Sequence, residues 1–417
     1  MGIQFKEQYE KGKQIHTELS NRVEPHNRID PINDIYSHPV EGFAPGVLKV
    51  QKTIQDQRQH LQFQLMVARA RQLPVYDRRR IAFTANSKDK FSNKFFGLPH
   101  AAVNFTKEEF LVAVPIHMGI PVPLLQNYIG HPIRNKHNFN YTVDPHAYQL
   151  TLVTCIEGGG TTRNHNKLVQ VIQQSLKDAG IRHLVAGMGT LSPKSIFNGA
   201  IPAEVPISQE DKKSLDSIIP DMIIFASDIE GMQRDLIVDA KTLAPSAEYE
   251  LNRSEFAYAV NQRQKEVNQE YYVAAAKLDQ KHHGTPQESD GPYTSVLRNH
   301  GEEGRVMGAV TGFFGEVSSD IDKIGDLIST QLAKKHQQYF RCTESHANAI
   351  SKEKIRRLWG HTMKKSWSRL VLDRLNNFVK LGTEGRGEEE RQYDFNETYN
   401  FSNPATHVRG GYFEPRD

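Results

Sequence analysis

The sequence predicts a mixed α/β domain, a small sheet flanked by helices, with a helical region before it and a basic helical extension after it. Three stretches carry that prediction. Residues 218–243, IIPDMIIFASDIEGMQRDLIVDAKTL, set two short apolar runs, Met222-Ile223-Ile224-Phe225 and Leu236-Ile237-Val238, on either side of a polar connection containing Gly231. Short β-branched runs separated by turn residues signal a hairpin. VMGAVTGFFGEV, at 306–317, is a buried-strand pattern, and it lies between two helical patterns. Strands that alternate with helices imply an α/β domain.

Composition bounds the function classes. A chain of 417 residues holds two or three domains and can bury substantial cores. Hydrophobic residues at 38% and charged residues at 24% fit a globular, water-exposed protein. The net charge of +3 is too small to argue a nucleic-acid partner by itself. Two cysteines, Cys155 and Cys342, exclude a disulfide scaffold and an all-thiolate zinc site. The N-terminus has no signal-peptide core, and no run of about eighteen apolar residues occurs. The expectation is an intracellular protein, nuclear if the host is eukaryotic, with no membrane partner.

In chain order, residues 1–46 are polar and punctuated by Pro25, Pro31, Pro39 and Pro45, an arm. From Val47 to Arg80, Leu48, Ile54, Leu61, Leu65, Ala68 and Leu73 recur at helical intervals, and Asp77-Arg78-Arg79-Arg80 is expected to end that helix. Thr106 and Glu109 form a capping-box pattern before a further helix that stops near Gly119, within a helical domain assigned to 47–125. Residues 126–165 carry His131, His137, His146, Cys155 and His165 in a linker whose spacings match no compact zinc pattern. Gly158-Gly159-Gly160 then leads into a helix whose apolar side is Leu168, Val169, Ile172, Leu176 and Ala179. Residues 181–217 have low periodicity and read as a connection. After the hairpin, a helix beginning near Ser254 holds Lys265, Tyr271 and Tyr272, and the 306–317 strand and a helix from Ser318 complete a core spanning 166–340.

Chemistry concentrates on the hairpin. Pro220-Asp221 opens its first strand and Asp239-Ala240-Lys241 closes its second. Alternate side chains of a strand share a face, so Asp239 and Lys241 point together, and pairing of the strands brings Asp221 near them. Two carboxylates and an ammonium at a sheet edge suit a hard cation and a phosphodiester substrate. Asp221, Asp239 and Lys241 are therefore the candidate catalytic residues, with Asp221 and Asp239 as candidate ligands of Mg²⁺ or Mn²⁺. The bland alternative is a surface hairpin with Asp221 capping a turn.

Residues 351–380 are the most basic stretch, nine Lys and Arg against Glu353 and Asp373, interleaved with Trp359, Met363, Leu370, Leu375 and Phe378. Two readings stand level. A basic amphipathic helix can grip phosphates and stack on bases; it can equally dock its apolar face on the core. Lys364, Lys365 and Arg369 are the candidate nucleic-acid contacts of the first reading. The tail from 382 is Gly- and Glu-rich and expected to be disordered.

The order of these words resembles a known family. Pro220-Asp221, a spacer, then Asp239-x-Lys241 resembles the active-site motif of the PD-(D/E)XK, or restriction-like, nucleases. The run from about residue 47 to 340 is similar to the carboxy-terminal endonuclease region of non-LTR retrotransposon polyproteins: Met118-Gly119-Ile120-Pro121, Asp144-Pro145-His146, Cys155, Gly158-Gly159-Gly160, Arg163-Asn164-His165-Asn166, the two acidic strands, and Gly312-Phe313-Phe314-Gly315-Glu316 follow in the family's order. The resemblance implies a restriction-endonuclease-like mixed sheet core and a Mg²⁺-dependent DNA endonuclease, with Glu157, just upstream of the first core helix, as a third metal ligand, Arg163, His165 and Asn166 also on the nucleic acid and a homodimer allowed. It also implies a structural Zn²⁺ in the knuckle-like linker, although of the family's paired-cysteine entry only Cys155 is present. No Tyr-x-Asp-Asp of a reverse transcriptase occurs. The alternative from another class is a non-catalytic nucleic-acid-binding or structural protein that retains the fold.

Overall fold

The structure is a computed structural model of the chain and describes residues 43–74, 76–96, 103–133, 141–152, 160–186, 220–245, 256–286, 289–299 and 305–380, together with positions 11, 14 and 18. Apart from those three positions, residues 1–42 of the expected 1–46 arm, most of the 181–217 connection and the tail fall outside these residues, while 43–46 are helical and not part of an arm. The chain divides into two compact units, Met1–Arg80 and Ile81–Asp417.

In the first unit, helix α1 (Phe43–Gln72) realises the 3.6-residue periodicity. The expectation that Asp77-Arg78-Arg79-Arg80 ends this helix is corrected, because Pro74 interrupts the chain and a new helix, α2, opens at Arg78 (Arg78–Asn86). Asp77 starts that helix: its Oδ1 accepts the Arg79 amide at 2.9 Å.

The second unit is mixed α/β, with helix α3 (Lys107–Met118), the short α4 (Tyr148–Thr151), α5 (Gly160–Ala179), strands β1 (His183–Val185), β2 (Met222–Ile224) and β3 (Leu236–Leu243), then α6 (Tyr258–His283), α7 (Pro292–Asn299), β4 (Met307–Gly312), α8 (Ser319–Phe340) and α9 (Glu344–Leu375). Helix α3 has both halves of the expected capping box, and its chain leaves through Gly119 at φ 65°. It packs against α9, so residues 81–125 belong with the sheet-bearing unit and not to a separate helical domain.

The sheet has four strands in the order β1-β2-β3-β4. β1 and β2 pair antiparallel, as do β2 and β3, and β3 and β4 run parallel. The hairpin thus forms as its pattern predicted, while β1, at the start of the stretch read as a connection, was not anticipated. On one face, Met222, Ile224, Val238 and Ala240 pack with Leu168, Val169, Ile172 and Leu176 of α5, and with α8 and α9. On the other face Ile237 meets Val267 and Tyr271 of α6. Gly308 of β4 stands beside Asp239 in register, and a Cβ there would come within 3.0 Å of the Gln264 Cα. Its lack of a side chain is what lets α6 approach the sheet here.

Helix α9 runs through the middle of the unit. Trp359 stacks on Phe91 with ring centroids 5.9 Å apart, and its indole N–H donates to Ser175 Oγ at 2.9 Å. Trp367 meets Phe313 edge-on. The docked reading of the basic segment therefore holds. Among the described residues, no helix is long and apolar enough to cross a membrane.

Candidate active site at the β2–β3 edge

Pairing of Met222 with Val238 brings the residue before β2, Asp221, next to Asp239 on β3. Backbone bonds fix that entry: the Ala186 amide, just past β1, donates to Asp221 O at 2.9 Å. The Asp221 side chain folds over the sheet edge, where Oδ2 accepts the Ala240 amide at 2.7 Å and faces His165 Nε2 at 3.0 Å. The two carboxyls lie within hydrogen-bonding reach of each other. Lys241 Nζ sits 2.7 Å from Asp239 Oδ2, as the alternation along β3 requires.

The electrostatics follow from burial and from two acids placed side by side. Asp239 is only 5% exposed. Burial pushes its pKa up to about 6; Lys241 pulls it down, and the Asp221 charge adds to the rise. For Asp221, burial also acts upward, but the hydrogen bond and charge of His165, with the Ala240 amide, hold the carboxyl below its usual range. His165 is raised, first by its hydrogen bond to Asp221 and against its own burial. Two neighbouring carboxylates therefore divide the work of one proton, Asp221 staying ionised while Asp239 protonates first.

Tyr271 of α6 is a site residue that the sequence did not single out for a role. Its phenol hydrogen-bonds Asp239, and burial together with the charges of Asp239 and Asp221 keeps it protonated far into alkaline pH. The sequence places it on a helix with Lys265 and Tyr272 but assigns it no role, because the apolar stripe it occupies is indistinguishable from ordinary core.

A hard divalent cation fits this donor set. The carboxylates are anionic oxygen donors, and a cation would offset the burial, and the smaller repulsion from Asp221, that raise Asp239. Among the described residues no group of three or more His, Cys, Asp or Glu side chains is arranged to hold a metal. Mg²⁺, however, is held through one or two carboxylates with waters and substrate phosphates completing its shell. Glu157 and Cys155, the candidate third ligand and the knuckle cysteine, lie outside the described residues, as does His137.

The candidate nucleic-acid contacts separate. His165 lies on Asp221 inside the site, and Asn166 Oδ1 holds its Nδ1 at 3.2 Å. Arg163 pairs with Asp373 of α9 at 2.6 Å, and Arg369 pairs with Glu109 of α3. These two guanidinium groups are half-buried and gather around Lys167, whose pKa is lowered by burial and then by Arg369, Arg163 and Lys365. The expectation for Lys364 and Lys365 is corrected: both are buried, Lys364 donating to Phe314 O and Lys365 to Asn104 O. Docking of the apolar face of α9 carries these lysines inside with it, so they present no charge to a phosphate. No family model, curated protein or solved structure matches the chain.

Proposed function

We propose that the chain is a divalent-metal-dependent DNA endonuclease with a restriction-like core, related to mobile-element nucleases. The observation that carries the reading is the convergence of Asp221, Asp239 and Lys241 at one sheet edge. The finer fold reading draws support from the element order: α5, the antiparallel β1-β2-β3, the α6 crossover, the parallel β4 and α8. It also rests on the resemblance of the motifs.

In this reading Asp221 and Asp239 hold Mg²⁺ or Mn²⁺. The ion supplies Lewis-acid charge stabilisation and a water of lowered pKa. Lys241 orients the attacking water and offsets the negative charge that grows on the phosphoryl oxygens as the new P–O bond forms and the leaving P–O bond breaks. Tyr271 and the Ala240 amide hold the two carboxyls in place. Arg163, Lys167 and Arg369 form the cationic margin that the flanking phosphates meet.

The test is nicking of supercoiled plasmid, and cleavage of single-stranded DNA, with Mg²⁺ or Mn²⁺, comparing wild type with Asp221→Asn and Lys241→Ala. Metal-dependent product from wild type alone supports the nuclease. Wild type that binds DNA and yields no product above the variants makes this a nucleic-acid-binding or structural protein.

A further inference from the structure

Helix α1 carries almost no acid. Its 30 residues hold Lys49, Lys52, Arg58, Arg69 and Arg71 against Asp56 alone. An exposed helix is commonly supported by acids three or four residues from its bases, where the two can pair. Arg58 and Arg69 have none at those positions, and Asp56 lies round the far side of the helix from both. Among the described residues neither guanidinium forms an ion pair.

The two arginines belong to one face. Gln55, Arg58, Gln62, Leu65, Arg69 and Gln72 recur at alternating three- and four-residue intervals, so they line a single stripe. All six are exposed, Leu65 by 51%. The helix turns a different side inward, with Gln57 buried and Leu61, Gln64 and Val67 half-covered. The spacing is that of a coiled-coil seam, but a seam is apolar, and pairing with a second copy would set arginine and glutamine where leucine is needed. These side chains match another surface. Arginine pairs with both major-groove acceptors of guanine and glutamine with the edge of adenine, while an apolar side chain meets the methyl of thymine. A helix about 10–12 Å across fits the major groove of a B-form duplex, roughly 12 Å wide. From Arg58 to Arg69 is about 16 Å of helix, enough to cross about five base pairs.

We propose that this stripe of α1 is a DNA-reading face, which enters the major groove of a B-form duplex and selects the sequence at which the chain binds. Arg58 and Arg69 read guanines, Gln62 reads an adenine between them, and Leu65 packs on a thymine methyl. Duplex RNA is excluded as the partner, because the major groove of A-form helices is too deep and narrow to admit a helix. The stripe adds site selection to the proposed nuclease and does not depend on the cleavage chemistry.

The test is selection of binding sites by the full chain from a randomised DNA duplex library, with a chelator present so that no cleavage occurs. Wild type should enrich a short site containing two guanines about five base pairs apart. Arg58→Ala and Arg69→Ala should each erase one enriched guanine and weaken binding to the selected duplex about 10- to 100-fold. Arg58→Gln should turn its guanine toward adenine, and Gln62→Ala should relax the adenine. Affinity for duplexes outside the selected set should fall no more than a few-fold. These positions are exposed and alanine is the best helix former, so the variants keep the fold, which circular dichroism checks.

No enriched sequence from wild type, or the same enrichment in the arginine variants, would overturn the proposal. So would equal binding to duplex RNA. Weakening spread evenly over all duplexes would reduce the stripe to a phosphate contact and sink the reading face, and loss of self-association with selection intact would make it a contact between copies. Selection is read without cleavage, so its failure leaves the Asp221–Asp239 edge standing, and a chain that selects sites but never cuts DNA keeps the reading face and loses the nuclease.

Discussion

The Ala240 amide donates to Asp221 Oδ2 at 2.7 Å, which ties the acid before β2 to the backbone of the strand that presents Asp239 and Lys241. The acid is placed by the sheet, and its charge by His165. This separates what a substitution at Asp221 should do chemically from what it should do to the fold.

Asp221→Asn keeps the shape and an oxygen for the Ala240 amide but removes the negative charge. Stability should fall by about 1–2 kcal/mol, since a neutral oxygen replaces a charged one in the hydrogen bonds to the Ala240 amide and to His165. Divalent-ion affinity should fall sharply, as hard cations depend on few anionic oxygens. Calorimetric titration with Mg²⁺ and Mn²⁺ checks the second statement and urea denaturation the first; undiminished ion binding would remove Asp221 from the site.

Lys241→Ala should leave ion binding and DNA binding in place while slowing cleavage. Loss of one preorganised electrostatic stabiliser costs on the order of 100- to 1,000-fold in rate. Single-turnover cleavage at saturating metal reads the effect directly. A rate within threefold of wild type would show that the ammonium only neutralises Asp239.

Lys364 provides a pH signature away from the site. Burial lowers its pKa to about 7, against the partial support of Glu316 and Asp89. The unfolded chain holds this proton up to about pH 10.5 and the folded chain only to about 7. Between those values the unfolded state binds more protons, so stability rises with pH. Denaturation midpoints measured from pH 7 to 10 should climb in wild type and lose that slope in Lys364→Met. An equal slope in both would assign the effect elsewhere. Lys364→Glu should fail to fold, since it sets a third acid beside Glu316 and Asp89.

Gly315 sits at φ 89°, and a Cβ there would lie 2.3 Å from Lys364 Cε. Gly315→Ala should destabilise the chain by roughly 1–3 kcal/mol, from strain in the left-handed region and displacement of the lysine. Thermal denaturation measures it. An unchanged midpoint would mean the loop relaxes freely.

Arg163 and Arg369 should set the salt dependence of DNA binding. Replacing both by Gln should lower the slope of log K against log salt by up to about 2, roughly 0.9 for each phosphate that is no longer neutralised. Fluorescence anisotropy across a salt series reads it, and identical slopes would move the phosphate path away from the start of α5.

Local chemistry wrote much of the site and part of the fold into the sequence. The hairpin was legible because β-branched runs, a glycine turn and period-two alternation are properties of neighbouring residues. From that alternation the shared face of Asp239 and Lys241 followed, and the nearness of Asp221 followed from pairing. The capping box of α3 and the apolar side of α5 were legible for the same reason.

Three features were decided only in three dimensions. β1 is three residues long and carries no period of its own; it exists because β2 offers an edge to pair with. The basic helix α9 reads alike whether docked or exposed, and what decided its lysines was an apolar surface supplied by α3, α5 and α8. The contact of His165 with Asp221 and that of Tyr271 with Asp239 join residues far apart in sequence through packing of two helices on opposite faces of the sheet. Residue order fixes which groups can share a strand face; only the packed helices determine which groups reach it from outside, because those distances depend on the whole core.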